Sequence, residues 1–376
     1  MVATEETAGT EPAAVPSEAP PSSAASEQPG DSPAPSLADA LAAGPVVLDG
    51  GLSNQLETQG ADLGDDLWSA RLLADDPAQI TAAHAAYYAA GAQVVITSSY
   101  QASFQGFASR GVDQPRAAQL LRRSVELARE AELAAAAKDG QPGLAPRPRW
   151  VAASVGPYGA VLADGSEYRG RYGLSVAELE AFHAPRLEAL MAAQPDVLAL
   201  ETIPDADEAK ALLNLVRGSG VPCWLSFSGA GTATRAGQPL ADAFSLAADV
   251  DEVIAVGVNC CSPQDVHGAV ELAAKATGKP VVVYPNSGET WDAEARTWRR
   301  DPTFDPSLVG SWIDAGARLL GGCCRIGPDA IHQVANYVEA ATRGENGSRR
   351  GAAPVRSAPQ AEAGDGKVNR PRQPKR

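Results

Sequence analysis

The chain has 376 residues, 44% of them hydrophobic, with a formal net charge of -15. That charge repels nucleic acid and anionic membrane surfaces, and no stretch is apolar enough to span a bilayer. The length allows one large barrel or two medium domains.

Residues 1–38 carry six acidic side chains and no Lys or Arg, among Pro, Ala, Ser and Gly. Such a segment cannot bury enough apolar surface to offset its ordering entropy, so a disordered acidic tail is expected there. It has neither the positive n-region nor the apolar h-region of a secretory signal, which predicts a cytoplasmic protein.

From residue 39 to 342 one grammar repeats: a short apolar β-branched run, a polar or Gly-rich turn, then an Ala/Leu-rich helical stretch. The runs are PVVLDGG (45–51), AQVVITSSY (92–100), RWVAASVGP (149–157), DVLALET (196–202), PCWLSFS (222–228), EVIAVGVNC (252–260), KPVVVYPN (279–286) and ARLLGGCC (317–324). Near-continuous apolar runs suit parallel strands buried on both faces. Segments between them, such as VAELEAFHAPRLEALMAAQ, place apolar residues at helical spacing, and Gly91 and Gly316 read as helix stops. Eight β-then-α units predict a (β/α)₈ TIM barrel, with a doubly wound open sheet as the rival. Residues 343–376 carry nine basic and three acidic side chains and read as a second disordered tail, with polyanion contact the weaker alternative.

A reducing compartment argues against disulfides among the five cysteines. Cys223, inside the fifth run, reads as a small buried hydrophobe. Cys260, Cys323 and Cys324 instead follow Asn or Gly at the ends of strands six and eight, on the rim where barrel active sites lie. Three thiolates with an open fourth position form a reactive Zn²⁺ site, whereas a closed structural site would recruit Cys261 as well. Adjacent residues of an extended strand face opposite ways, which favours leaving Cys261 out. Gly321 and Gly322 would let the chain leave the strand, so that Cys323 and Cys324 both turn to the metal. An electron-rich thiolate shell makes zinc a poor activator of water but a good holder of an exogenous thiolate, which points to methyl transfer onto a thiol.

The segments VGVNCCSP (256–263) and LGGCCRIGP (320–328) resemble the two zinc-ligand motifs of homocysteine S-methyltransferases. The likeness covers about residues 40 to 340, through LDGGLSNQLETQG (48–60), DLWSARLL (66–73), ITSSYQASFQGFASRG (96–111), ASVGPYGAVLADGSEYRG (153–170), LETIPD (200–205) and VVVYPNSGETWDAEARTW (281–298). It is nearest the branch that takes S-methylmethionine or S-adenosylmethionine as donor. The resemblance implies Cys260, Cys323 and Cys324 as zinc ligands, with Asp49 and Glu201 holding the amino group of homocysteine. The amides of Gly50 and Gly51, with the hydroxyl of Ser98 or Ser99, are candidates for its carboxylate, and Asn259 and Asn286 for orienting substrate or ligand shell. The chain departs from the pattern at Cys261, where a non-thiol is usual, and in SGAGTATRAGQPL (228–240), which lacks the family's acidic character. The four histidines are assigned to packing or surface. The expected reaction forms methionine from homocysteine. The alternatives are a selenocysteine or selenohomocysteine methyltransferase and a non-catalytic zinc or redox-sensing barrel.

Overall fold

A computed structural model describes residues 35–63, 69–139, 147–292, 297–299 and 301–343. The strands that matter here are β1 (Val46–Val47), β2 (Val94–Ile96), β3 (Trp150–Val155), β4 (Val197–Ile203), β5 (Cys223–Phe227), β6 (Val253–Asn259), β7 (Val281–Tyr284) and β8 (Ala317–Leu320). All pair in parallel in the order β1-β8-β7-β6-β5-β4-β3-β2. The parallel bridge Leu48↔Val94 closes the ring, with Gln93 N–H donating to Val47 O at 2.8 Å and Asp49 N–H to Val94 O at 3.0 Å. The eight predicted strands are therefore a (β/α)₈ barrel, and the open-sheet rival fails on that closure.

Strand alternation divides the core in two. Leu48, Val94, Trp150, Ala152, Val197, Ala199, Trp224, Ala255, Val282 and Leu319 fill the barrel interior. Their neighbours Val95, Val151, Leu198, Leu200, Leu225, Val256, Val283 and Leu320 face outward into the layer packed by the helices. Gly257 of β6 is required by close approach, since a Cβ there would lie 1.8 Å from Val282 O on β7.

Helices α1 (Leu37–Ala43), α2 (Leu52–Thr58), α3 (Ser69–Asp75), α4 (Pro77–Ala89), α5 (Phe104–Ala108), α6 (Gln114–Asp139), α7 (Tyr158–Leu162), α8 (Val176–Met191), α9 (Ala206–Val216), α10 (Leu240–Ser245), α11 (Pro263–Thr277), α12 (Leu308–Ala315) and α13 (Pro328–Thr342) follow the strands and decorate their loops. Their ends obey the sequence signals. Ser175 and Glu178 form a capping box at the start of α8, and Gly316 ends α12 at φ +122°.

The folded unit starts earlier than the boundary at residue 39. Ser36 caps α1 by accepting from Asp39 N–H, and Leu37 and Leu41 are 2% and 1% exposed within the barrel-interior cluster. Burying each stabilises by about 1.5–3 kcal/mol, and Trp150 Nε1 ties the segment down through Pro35 O at 3.1 Å. A short helix with only two large apolar residues, behind a Pro/Ser run, left little periodicity to read. The tails assigned to 1–38 and 343–376 otherwise lie outside the described residues, except Arg343 at the end of α13.

Candidate active site

Towards the C-terminal ends of the strands the inward positions turn polar. Ser154 on β3, Glu201 on β4, Ser226 on β5, Asn259 on β6 and Tyr284 on β7 are all buried. Ser154 Oγ donates to Glu201 Oε1. Ser226 Oγ donates to Asn259 Oδ1 at 2.9 Å and shares a 2.7 Å bond with Tyr284 Oη, which also accepts from Trp224 Nε1 at 3.0 Å. Buried polar groups joined this way hold fixed positions. They floor a site whose walls are the loops beyond the strands.

Cys260, Cys323 and Cys324 meet over that floor, with all three sulfur atoms within 4.8 Å of one another. The backbone explains how. β6 ends at Asn259, and Cys260 takes φ +47°, so the next side chain, Cys261, is thrown outward into the helix-facing core. At the other strand, Cys323 and Cys324 occupy a turn closed by Ile326 N–H to Cys323 O at 3.1 Å, with Arg325 at φ +65°. Gly321 and Gly322 serve differently from expectation. Neither is left-handed; a Cβ at Gly321 would lie 2.5 Å from Asp49 O and one at Gly322 2.1 Å from the Ile326 side chain. They make room for the turn rather than form it. Cys323 N–H donates to Pro285 O at 2.8 Å and Cys324 N–H to Asn286 Oδ1 at 3.1 Å, anchoring both to the end of β7.

The three thiols divide their charge unevenly. Hydrogen bonds from Cys260 and Cys323 hold the Cys324 thiol well below its ordinary pKa, while contacts with Cys260 first, and then with Cys324, push Cys323 up. Cys223 and Cys261 lie apart, and burial raises each thiol to about 12. A tetrahedral zinc with bonds near 2.3 Å needs sulfur atoms about 3.8 Å apart, a span this triad meets with small side-chain adjustments.

Two buried carboxylates share the interior. Asp49 is 1% exposed; its Oδ2 accepts from Ile96 N–H at 2.8 Å and its Oδ1 has no partner. Glu201 is 6% exposed, and burial raises its carboxyl to about 7 against the hydrogen bonds from Ser154 and Tyr284. Burial raises Asp49 as well, and the two carboxylates repel each other. Burial and mutual repulsion favour the neutral forms of both carboxyls, so a cation placed beside them would favour their ionisation.

The remaining expected residues separate. Ser98 Oγ is buried and unpartnered, whereas Ser99 Oγ is taken by Ser154 O at 2.8 Å and by Thr97 Oγ1. Gly51 is corrected: its N–H donates to Ile326 O at 2.9 Å and is unavailable to a substrate carboxylate. Gly50 lies against Ile326 O and the Tyr87 ring, where a Cβ would not fit. Asn259 Oδ1 accepts from Thr202 N–H at 2.7 Å and its Nδ2 donates to Thr202 Oγ1 at 2.6 Å, so it clamps the residue after Glu201. Asn286 Oδ1 accepts from Cys324 N–H and so holds the backbone of that cysteine.

Sequence reasoning missed a buried brace behind the rim. Arg186 of α8 donates to Tyr100 O at 3.1 Å and Gly156 O at 3.0 Å, and His183 Nε2 meets Glu208 Oε1 at 2.9 Å. Glu208 Oε1 also accepts from Tyr158 N–H at 2.6 Å, so the brace ties together the loops after β2 and β3. The signal was present: His183 and Arg186 sit on the same helical stripe as Leu179, Phe182 and Leu190, where a surface helix has only apolar residues. The 3₁₀ turn Ser166–Tyr168 was also missed; the ring of its Tyr168 lies 5.8 Å from the Arg235 guanidinium.

The sequence model of the homocysteine S-methyltransferase family matches residues 46–338. "Homocysteine S-methyltransferase 4" of Zea mays is 45% identical over 80% of this chain and 91% of its own length. "Selenocysteine Se-methyltransferase" of Brassica oleracea is 41% identical over 77% of this chain and 88% of its own. The crystal structure of the metallated form of the homocysteine methyltransferase MmuM from Escherichia coli superposes with a TM-score of 0.70 at 42% identity. It covers 78% of this chain and 96% of that one.

Proposed function

Because the chain belongs to the homocysteine S-methyltransferase family, whose members transfer a methyl group to homocysteine to give methionine, we propose that it takes the methyl from a sulfonium with Zn²⁺ on its three rim cysteines. The observation that carries this reading is the meeting of Cys260, Cys323 and Cys324 within 4.8 Å, above two buried carboxylates of which Asp49 has an unpartnered oxygen. Zinc, when bound there, lowers the pKa of an incoming thiol and leaves its sulfur nucleophilic.

The chain's own groups do the rest. Asp49 Oδ1 and the ionised Glu201 hold the ammonium of homocysteine, and Ser98 Oγ donates to its carboxylate. Asn259 keeps Glu201 in place through Thr202, and Asn286 fixes the backbone of Cys324. Homocysteine releases its thiol proton to solvent on binding. In the transfer its sulfur attacks the methyl carbon in line with the donor's breaking C–S bond. The electron pair of that bond stays on the donor sulfur, which leaves as a neutral thioether. No general base acts in that step, so positioning and exclusion of water are what the protein contributes.

The experiment is a donor comparison: zinc-loaded protein and homocysteine with S-methylmethionine, S-adenosylmethionine or betaine offered separately. Methionine formed from either sulfonium and none from betaine is the expected result; turnover with betaine alone overturns the reading. The Brassica relative's name favours a second acceptor, selenocysteine, whose selenol would occupy the position of the homocysteine sulfur. Competition between selenocysteine and homocysteine for one site tests it.

A further inference from the structure

Two side chains behind the rim belong to neither the cysteine triad nor the carboxylate pair, yet both hold the turn that carries two of the three cysteines. That turn, residues 323–326, packs against the loop that follows β1. Gly322 N–H donates to Asp49 O at 3.0 Å, and Gly51 N–H to Ile326 O at 2.9 Å. Tyr87, from α4, adds a hydroxyl that lies 2.9 Å from Gly51 O and 3.1 Å from Ile326 O, with one proton to share between them. Its ring is fully buried against Gly50, where a Cβ would lie 2.9 Å from Tyr87 Cε1.

Asn54, in the first turn of α2, reaches the same turn. Its Oδ1 accepts from Arg325 N–H at 2.5 Å. Arg325 stands at φ +65°, a left-handed conformation that a non-glycine residue keeps only where its surroundings hold it. The Asn54 oxygen supplies that hold next to Cys324. Gly51 gives it passage: a Cβ there would lie 2.6 Å from Asn54 Oδ1 and 2.6 Å from Cys323 O, crowding both. The amide's other end makes only a long, exposed bond, from Nδ2 to Glu57 Oε2 at 3.4 Å.

We propose that Asn54 and Tyr87 are positioning residues for the metal centre, locking the turn of Cys323 and Cys324 in register with the loop of Asp49. This assignment rests on the zinc reading above. The need for register comes from the acceptor. One homocysteine must reach Asp49 with its ammonium and the metal with its sulfur, so the spacing between loop and turn is part of the site. Groups that orient metal-binding residues without touching the metal govern its affinity by about 10–100-fold. Tyr87 can be separated from stability. With its hydroxyl removed, Gly51 O still accepts from Gln55 N–H at 3.1 Å and Ile326 O from Gly51 N–H, so neither carbonyl is orphaned. What the hydroxyl adds is register.

The test uses full-length protein and the variants Asn54→Ala, Asn54→Asp and Tyr87→Phe. Chelator competition reads zinc affinity, and Co²⁺ substitution reads the geometry of the thiolates through their charge-transfer bands. Asn54→Ala should weaken zinc binding about 10–100-fold and shift those bands. Asn54→Asp keeps an oxygen for Arg325 N–H and should stay within about threefold of the parent. Tyr87→Phe should raise the KM for homocysteine about tenfold while the KM for S-methylmethionine stays within about twofold. Side chains that only stabilise the fold would lower the urea midpoint of metal-free and metal-loaded protein alike and leave zinc affinity and the Co²⁺ bands unmoved; that result overturns the proposal. So does an Asn54→Asp protein that loses as much zinc affinity as Asn54→Ala. If Asn54→Ala does not fold, Tyr87→Phe decides, and a homocysteine KM equal to the parent's overturns the register. A parent that binds no zinc overturns the metal reading itself, before any variant is compared.

Discussion

Replacing Asn259 by Ala tests how the acceptor site is held together. Its amide makes two bonds to Thr202, 2.7 Å from the backbone N–H and 2.6 Å to Oγ1, and a third with Ser226 at 2.9 Å, all fully buried. Ser226 keeps Tyr284 as a partner, but both Thr202 groups are orphaned. Two unsatisfied buried groups should destabilise the folded state by about 2–5 kcal/mol. Thr202 also sits at φ +60°, a left-handed conformation that strains a β-branched residue by about 1–3 kcal/mol. Without the amide clamp that strain relaxes by moving Thr202, and Glu201 moves with it. Urea denaturation of the zinc-loaded variant should show the stability loss, and the KM for homocysteine should rise about tenfold or more. Zinc content should hold, since Cys260 N–H keeps its bond to Tyr284 O at 3.3 Å. Adding Thr202→Gly should restore about 1 kcal/mol, because glycine takes that φ without strain. An Asn259→Ala protein within about 1 kcal/mol of the parent and with an unchanged KM refutes the clamp.

Cys323→Ser should lose stoichiometric zinc by metal analysis while circular dichroism still reports a folded barrel, and Cys261→Ser should keep its zinc. In the homocysteine-free protein Glu201 takes up a proton as pH falls through about 7, so homocysteine KM should rise from pH 8 to pH 6. Glu201→Gln should raise KM at every pH and remove the part of the slope that Glu201 causes; an identical slope in both proteins counts against its contact with the ammonium. The same raised pKa lets the folded protein hold a proton that the unfolded chain has lost, so Glu201 lowers stability as pH rises from about 4.3 to about 7. His84 is buried with both ring nitrogens unpartnered and its pKa depressed to about 4 by burial. The unfolded chain protonates His84 first, so its contribution is lost as pH falls from about 6.5 to about 4, amounting to roughly 3 kcal/mol. His84→Leu should flatten that acid limb in denaturant titrations.

What the sequence revealed and what it hid follow a physical division. Strands buried on both faces write themselves as apolar runs, so all eight could be read, and polar residues at their ends marked the rim. Strand order brought the cysteines of β6 and β8 to one rim, since those strands flank one other strand. Face alternation together with the family resemblance singled out Cys260, Cys323 and Cys324. Hidden were features that depend on partners far along the chain. Nothing local says that Gly51 N–H is taken by Ile326 O, or that the Asn259 amide turns to Thr202. The left-handed backbone at Cys260, Thr202 and Arg325 escaped because none is the glycine or asparagine that usually announces it. Arg186 and His183 were legible only as an exception, two polar residues on an apolar stripe, whose meaning appeared once Tyr100 O and Gly156 O lay beside them.

The outward swing of Cys261 has a practical use at the bench. With Cys223 and Cys261 both buried and raised to about 12, neither presents a thiolate to a soft electrophile at neutral pH. Of the rim cysteines Cys324 alone is both partly exposed and held toward the thiolate, so it is the one to react. A chromogenic thiol reagent added to the native protein should therefore report on the site without any engineered background. Protection against the reagent would follow metal loading and acceptor binding in real time, giving an occupancy meter that the wild-type chain already carries.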